Sequence, residues 1–253
     1  MVKINMLSDV ERYNTEQLNQ ILKILRSPEG CPWDREQTHK SIRNDMLEET
    51  YETVDAIDLE DNEALCEELG DMLLQVVFHS TIAEEQGDFT YDDVVDGVCR
   101  KLILRHPHVF SNGTAENSEQ VLDMWDKIKK EEKHQDTASK TLKSVPAAFP
   151  ALMRASKVQK RAMKAGFEPT NPLDDDRLDK AFSDLKKAHL SGNKDEINAA
   201  LSRMLFLTAG LQNFYKNNCE ELLTKATNHF IETFEELEKD KELSTEKILE
   251  KCF

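Results

Sequence analysis

Five carboxylates in the first third of the chain are spaced as a site would be. Glu48, Glu49 and Glu52 fall in one short span, and Glu68 and Asp71 follow after residues 53–67. On a helix, residues three or four apart project from the same side, so Glu49 and Glu52 point together, as do Glu68 and Asp71. A short connection makes two successive helices antiparallel neighbours, which brings the two pairs face to face. Like charges at this spacing cost roughly 0.2–0.5 kcal/mol per pair on an isolated helix, and more where helices converge. Such a group needs a cation, and an all-oxygen donor set suits Mg²⁺ or Mn²⁺ rather than Zn²⁺. Acidic faces are common in a chain with 49 Asp and Glu, and most are solvated surface. Two details weigh for a site. Glu68 and Asp71 flank Leu69, Met72 and Leu73, at the edge of an apolar stripe. Gly70 interrupts the same helix at a cost of about 1 kcal/mol relative to Ala, which predicts close approach of a neighbouring helix or a ligand there.

The elements that must position these residues read as helices throughout. Leu18, Ile21, Leu22 and Leu25 form one stripe of a helix over 15–26, stopped by Pro28-Glu29-Gly30-Cys31-Pro32. A second helix starts near Thr38 or Ser41 and runs to Leu59, with Leu47, Tyr51 and Val54 at helical spacing. Leu65, Leu69, Met72, Leu73, Val76 and Val77 predict a third over 63–86, ended by Gly87. Helices over 88–105 and 116–133 follow, separated by His106-Pro107-His108. Residues 134–150 turn polar and carry Pro146 and Pro150, which predicts a linker. Beyond it lie helices over 153–165, 178–190, 194–214 and 220–250, the third burying Leu201, Leu205, Leu207 and Leu211. No stretch alternates as a strand does. The expectation is an all-α protein of two tandem helical bundles, 1–133 and 151–253, joined by a linker at 134–150.

Composition narrows the function. The 8 Gly and 7 Pro are few, which disfavours sandwiches, barrels and Gly-rich dinucleotide folds. A net charge of −16 opposes binding to DNA or RNA, which requires Lys and Arg to neutralise phosphates. It does not oppose a small phosphate ligand carried with a divalent cation. The first residues have no basic-then-apolar leader pattern, and the apolar run near Met72–Phe78 is too short to span a bilayer. Five scattered cysteines without a CxxC pair read as reduced thiols of a cytoplasmic protein. His106 and His108 have no second ligand pair for zinc, so they read as part of a helix-ending turn.

Glu48-Glu49-Thr50-Tyr51-Glu52 with Glu68-Leu69-Gly70-Asp71 resembles the EExxE…ExxD signature of the all-α nucleoside triphosphate pyrophosphohydrolases. Three further segments resemble the MazG family within that group. They are Gly30-Cys31-Pro32-Trp33-Asp34-Arg35-Glu36-Gln37-Thr38, Lys101-Leu102-Ile103-Leu104-Arg105-His106-Pro107-His108-Val109-Phe110, and Pro150-Ala151-Leu152-Met153-Arg154-Ala155. The resemblance implies hydrolysis of nucleoside triphosphates to the monophosphate and pyrophosphate with Mg²⁺, Mn²⁺ being the alternative. It implies Glu49, Glu52, Glu68 and Asp71 as metal ligands, and Glu48 and Glu49 as the carboxylates that orient or deprotonate the attacking water. It also implies Lys101 and Arg105 facing the triphosphate, Trp33 at the nucleotide pocket, and a homodimer. A Trp on a loop stacks on a base or plugs a gap between helices; both readings stay open.

The second block repeats the scaffold without the acids. Aligning Met204 with Met72 and Phe182 with Leu47 puts Ser183, Asp184, Lys187, Ala200 and Arg203 at the acidic positions. Two of them are basic and would repel a divalent cation. The expectation is that this block binds no metal and serves packing or dimerisation, although Lys225 matches a phosphate-facing lysine of the family. The alternative for the whole chain is a non-catalytic regulator that binds nucleotide or metal, or a dimerisation scaffold. The acidic run Glu232, Glu235, Glu236 and Glu238 reads as a solvated helix rather than a dock for a basic partner.

Overall fold

The computed structural model describes residues 11–132, 137–167, 170–239 and 244–252; these form thirteen α-helices and no strand. The fold is all-α. It divides into two compact units, Met1–Trp125 and Asp126–Phe253.

The first unit is built around one long helix. α1 (Thr15–Leu25) is opened by a capping box, in which the Asn14 side chain accepts from the Gln17 amide and the Gln17 side chain accepts from that of Asn14, each at 3.0 Å. α2 (Pro32–Glu36) is a single turn in the loop after it. α3 (Arg43–Asp58) and α4 (Asn62–Gln86) are joined by a tight connection whose Asp61 caps α4, accepting from Glu63 and Ala64. Gly87, at a φ of 76°, ends α4 in the left-handed conformation that glycine favours. α5 (Tyr91–Arg105), α6 (Pro107–Phe110) and α7 (Ser118–Glu132) follow. α4 packs against α1, α3 and α5. Its Val77, Phe78 and Ile82 close on Leu22 of α1 and Ile42 before α3, with Leu18, Ile21, Leu73, Leu74 and Tyr91 around them. Burying each such side chain contributes about 1.5–3 kcal/mol. A second tie holds the segment before α3: His39 Nδ1 and His79 Nδ1 of α4 lie 2.8 Å apart with their rings stacked. Burial, and then the His39 charge, lower the His79 pKa.

The second unit repeats the helical-pair plan. α8 (Ala138–Lys143) and α9 (Ala151–Lys164) pack together, the Arg161 guanidinium of α9 donating to the Thr141 carbonyl at 2.7 Å. α10 (Arg177–Ser191) and α11 (Lys194–Tyr215) form the antiparallel pair, with Asn193 capping α11 as Asp61 caps α4. α12 (Cys219–Lys239) and α13 (Thr245–Cys252) close the chain.

Several expectations change. The stretch 134–150 contains a docked helix, because the Thr137 side chain caps α8 and Arg161 holds it. The helix expected over 220–250 is two helices that pack on each other; residues 240–243 between them lie outside the described residues. α11 does not bury Leu201 and Leu205; it buries Ala200, Ala209 and Gly210. A Cβ on Gly210 would sit 2.2 Å from the Gln159 side chain, so small residues are what let α9 approach α11. Gly70 lies in open space, with nothing among the described residues within 4 Å of where its Cβ would be, so no described helix comes that close to it. Leu47, Tyr51 and Val54 of α3 face outward, with Tyr51 58% exposed.

Candidate functional site

The α3–α4 pair brings the carboxylates together. Glu49 of α3 and Glu68 and Asp71 of α4 are half-buried, and one carboxylate oxygen from each lies within 4.8 Å of the others. Glu52 and Glu48 sit on the exposed side of α3. Their charges reach the cluster. The Glu49 pKa is raised by burial, then by Asp71, Glu52, Glu68 and Glu48. That of Glu68 is raised by burial, then by Glu52, Asp71 and Glu67. Among the described residues no Lys or Arg pairs with Glu49, Glu52, Glu68 or Asp71. Thr50 and Thr53 satisfy α3 carbonyls at 2.7 Å and leave the carboxylates alone. The donor set is therefore oxygen-only, acidic and uncompensated, which fits a hard divalent cation. When bound, such a cation offsets the repulsion, polarises phosphate oxygens and lowers the pKa of its water.

Around the cluster the expected residues take different roles. Trp33 lies on α2 and is 59% exposed, so within this chain's described residues it is not buried between helices. A residue that sequence reading missed fixes that loop. Arg26 is buried at the end of α1, where its guanidinium donates to the Asp34 and Gln37 carbonyls and pairs twice with Glu85, at 2.8 and 2.7 Å. It also lies over the Phe78 ring. The available signal was a lone Arg at the helix end beside a Gly-Cys-Pro loop. Gly30 completes the fixture: a Cβ there would meet the Ile24 and Leu25 carbonyl oxygens at 2.2 and 2.3 Å. Lys101 of α5 is half-buried. Arg105, expected to face the triphosphate with Lys101, is more deeply placed. It is 5% exposed, with its guanidinium 5.1 Å from the Trp125 ring centre. His106 packs edge-on against the same ring, so His106 and His108 belong to this corner.

In the second unit, the pair α10–α11 sets Asp184 against Arg203 at 2.7 Å. Arg203 occupies the position of α11 that Asp71 occupies in α4, counted from the first residue of each helix. A guanidinium on this chain thus meets the one carboxylate that the acidic positions retain. Lys225 pairs with Glu221 on its own helix at 2.5 Å.

Residues 37–110, which span α3, α4 and α5, match the MazG nucleotide pyrophosphohydrolase domain. The chain is 40% identical over 232 residues to the nucleoside triphosphate pyrophosphohydrolase of Escherichia coli K12, covering 88% of this chain and 87% of that one. The chain belongs to the MazG family. It is also 39% identical to the nucleoside triphosphate pyrophosphohydrolase/pyrophosphatase MazG of Thermotoga maritima, over 88% of this chain and 85% of that protein. An uncharacterized Bacillus subtilis protein, YabN, shares 40% identity over 86% of this chain but only 45% of its own length. This MazG chain carries its family match and its carboxylate cluster on the same helices. No helix among its described residues is long and apolar enough to cross a membrane.

Proposed function

We propose that this chain hydrolyses nucleoside triphosphates to the monophosphate and pyrophosphate, and that the reaction takes place at the α3–α4 cluster of the first unit with Mg²⁺ or Mn²⁺. The observation that carries the proposal is the convergence of Glu49, Glu68 and Asp71 with no cationic partner among the described residues. Glu52 completes the ligand set from α3. Water attacks the α-phosphorus, the bond from that phosphorus to the bridging oxygen breaks, and pyrophosphate leaves. Glu49 and Glu48 take up and orient the water's proton. Glu49 suits this because its carboxylate lies within the cluster, beside those of Glu68 and Asp71. Lys101 meets the charge of the departing pyrophosphate. Arg105 contributes from beneath, holding the α5–α7 corner through Trp125. Trp33, exposed on a loop fixed by Arg26, offers a face for the base.

The second unit binds no metal in this reading, because Arg203 already neutralises Asp184. A second copy of the chain covers the outward face of α3. Leu47, Tyr51 and Val54 recur one turn apart there, with Leu69 and the open Gly70 on α4, a surface too apolar to favour water.

Purified protein with Mg²⁺ and each nucleoside triphosphate in turn should release pyrophosphate. Glu49→Gln and Asp71→Asn should each lower kcat/KM by about 10²–10⁴-fold. Combined, they should abolish Mn²⁺ binding measured by calorimetry. Mn²⁺ retained by the double variant would place the metal elsewhere and overturn the site.

A further inference from the structure

α4 carries one more polar group on the stripe that holds Glu68 and Asp71. Gln75 follows Asp71 by one helical turn and shares its face. It is 7% exposed, and its Oε1 is buried with no hydrogen-bond partner among the described residues. Its buried neighbours on α4 are satisfied: Ser80 donates to the Val76 carbonyl at 2.8 Å and Thr81 to that of Val77 at 2.9 Å. Leaving an amide oxygen unpaired in the interior is expensive relative to an apolar side chain of the same length. Side chains on a helix lean toward its N-terminus, over the turn before their own Cα. For Gln75 that turn bears Asp71.

We propose that Gln75 Oε1 accepts a hydrogen bond from a water bound to the divalent cation of the carboxylate cluster, so that Gln75 is a positioning residue for the cation's hydration shell. This rests on the metal reading of Glu49, Glu68 and Asp71. An amide oxygen only accepts, and ionised phosphates offer no donor, so the partner is a hydroxyl, a base N–H or a water. The oxygen is enclosed, which suits a water and excludes a nucleoside. Mg²⁺ keeps several waters at about 2.1 Å, so an acceptor roughly 5 Å from the ion reaches one of them. A glutamine leaning back across one turn, about 6 Å along the axis, has that reach.

Calorimetric titration of Mn²⁺ into the full chain tests the assignment, together with melting of the metal-free protein. Gln75→Met should weaken Mn²⁺ binding by about 10–100-fold. The same variant, metal-free, should melt no lower than wild type, because the unpaired oxygen is gone. Gln75→Glu keeps an acceptor and should hold Mn²⁺ affinity at or above that of wild type. Unchanged Mn²⁺ affinity in Gln75→Met overturns the inference, and a lower melting temperature alongside it assigns the oxygen to an internal structural water. If Gln75→Met both melts lower and binds weakly, recovery of affinity in Gln75→Glu upholds the inference and its absence overturns it. A wild-type chain that binds no Mn²⁺ overturns the metal reading as well, and so separates the two failures.

Discussion

Glu49 and Glu68 are held where ionisation is unfavourable, by burial first and by their acidic neighbours second. A carboxyl whose pKa is higher folded than unfolded holds its proton more tightly in the folded state. Its ionisation therefore opposes folding; the penalty is full above the raised folded value and vanishes below the ordinary carboxylate value. In metal-free protein at neutral pH, Glu49→Gln should accordingly raise the melting temperature. Melting curves across pH should show that gain shrinking as the pH falls through the carboxylate range. A gain that persists in acid would show that charge is not its source. The acidic spacing was legible because helix geometry alone puts i and i+3 together. The burial of Arg105 was not, since nothing local in Lys101 to Arg105 shows that Trp125 will cover one cation and spare the other.

At the level of the element, the loop bearing Trp33 is set by backbone contact and one buried cation rather than by its own propensity. Gly30 abuts the last carbonyls of α1, and Arg26 gathers the Asp34 and Gln37 carbonyls. Gly30→Ala should destabilise the protein by roughly 1–3 kcal/mol in urea unfolding, because the added methyl meets backbone that cannot swing aside. An unfolding midpoint equal to wild type would show that the loop has slack. Helix limits were readable where caps are explicit: Asn14, Asp61, Gly87 and Asn193 mark four of them. The division of the C-terminal acidic stretch into α12 and α13 was not readable, because residues 232–239 keep the same polar character to the end of α12 and the packing of α13 on α12 is a tertiary contact. Gly70 reads as the mark of a close helix or a ligand; among the described residues nothing comes within 4 Å of where its Cβ would be.

At the scale of the molecule, the apolar spacing of Leu47, Tyr51 and Val54 predicted a helix, and the folded chain leaves that face outward. Periodicity tells which residues share a face; it does not tell whether the matching face belongs to the same copy. With a second copy seated there, Tyr51→Asp should shift sedimentation equilibrium at micromolar concentration from dimer toward monomer. A wild-type monomer, or a dimer indifferent to that charge, would remove this surface as the interface. The repeated helical pair was also legible, in the polar connections before Asn62 and Lys194 and the residues aligned on Met72 and Met204. What stands at the matching positions of the second unit was only half legible, because spacing names Asp184 and Arg203 but their contact is a fact of packing.

That contact makes the two halves of the chain answer differently to their surroundings. Around α10 and α11 the counter-charge is covalently attached, present from the moment the chain is made and beyond the reach of a chelator. Around α3 and α4 no such partner is present among the described residues, and in the proposed function a cation from solution supplies it. On that proposal, scarcity of a free divalent cation would be felt as strain around α3 and α4 while α10 and α11 stayed indifferent.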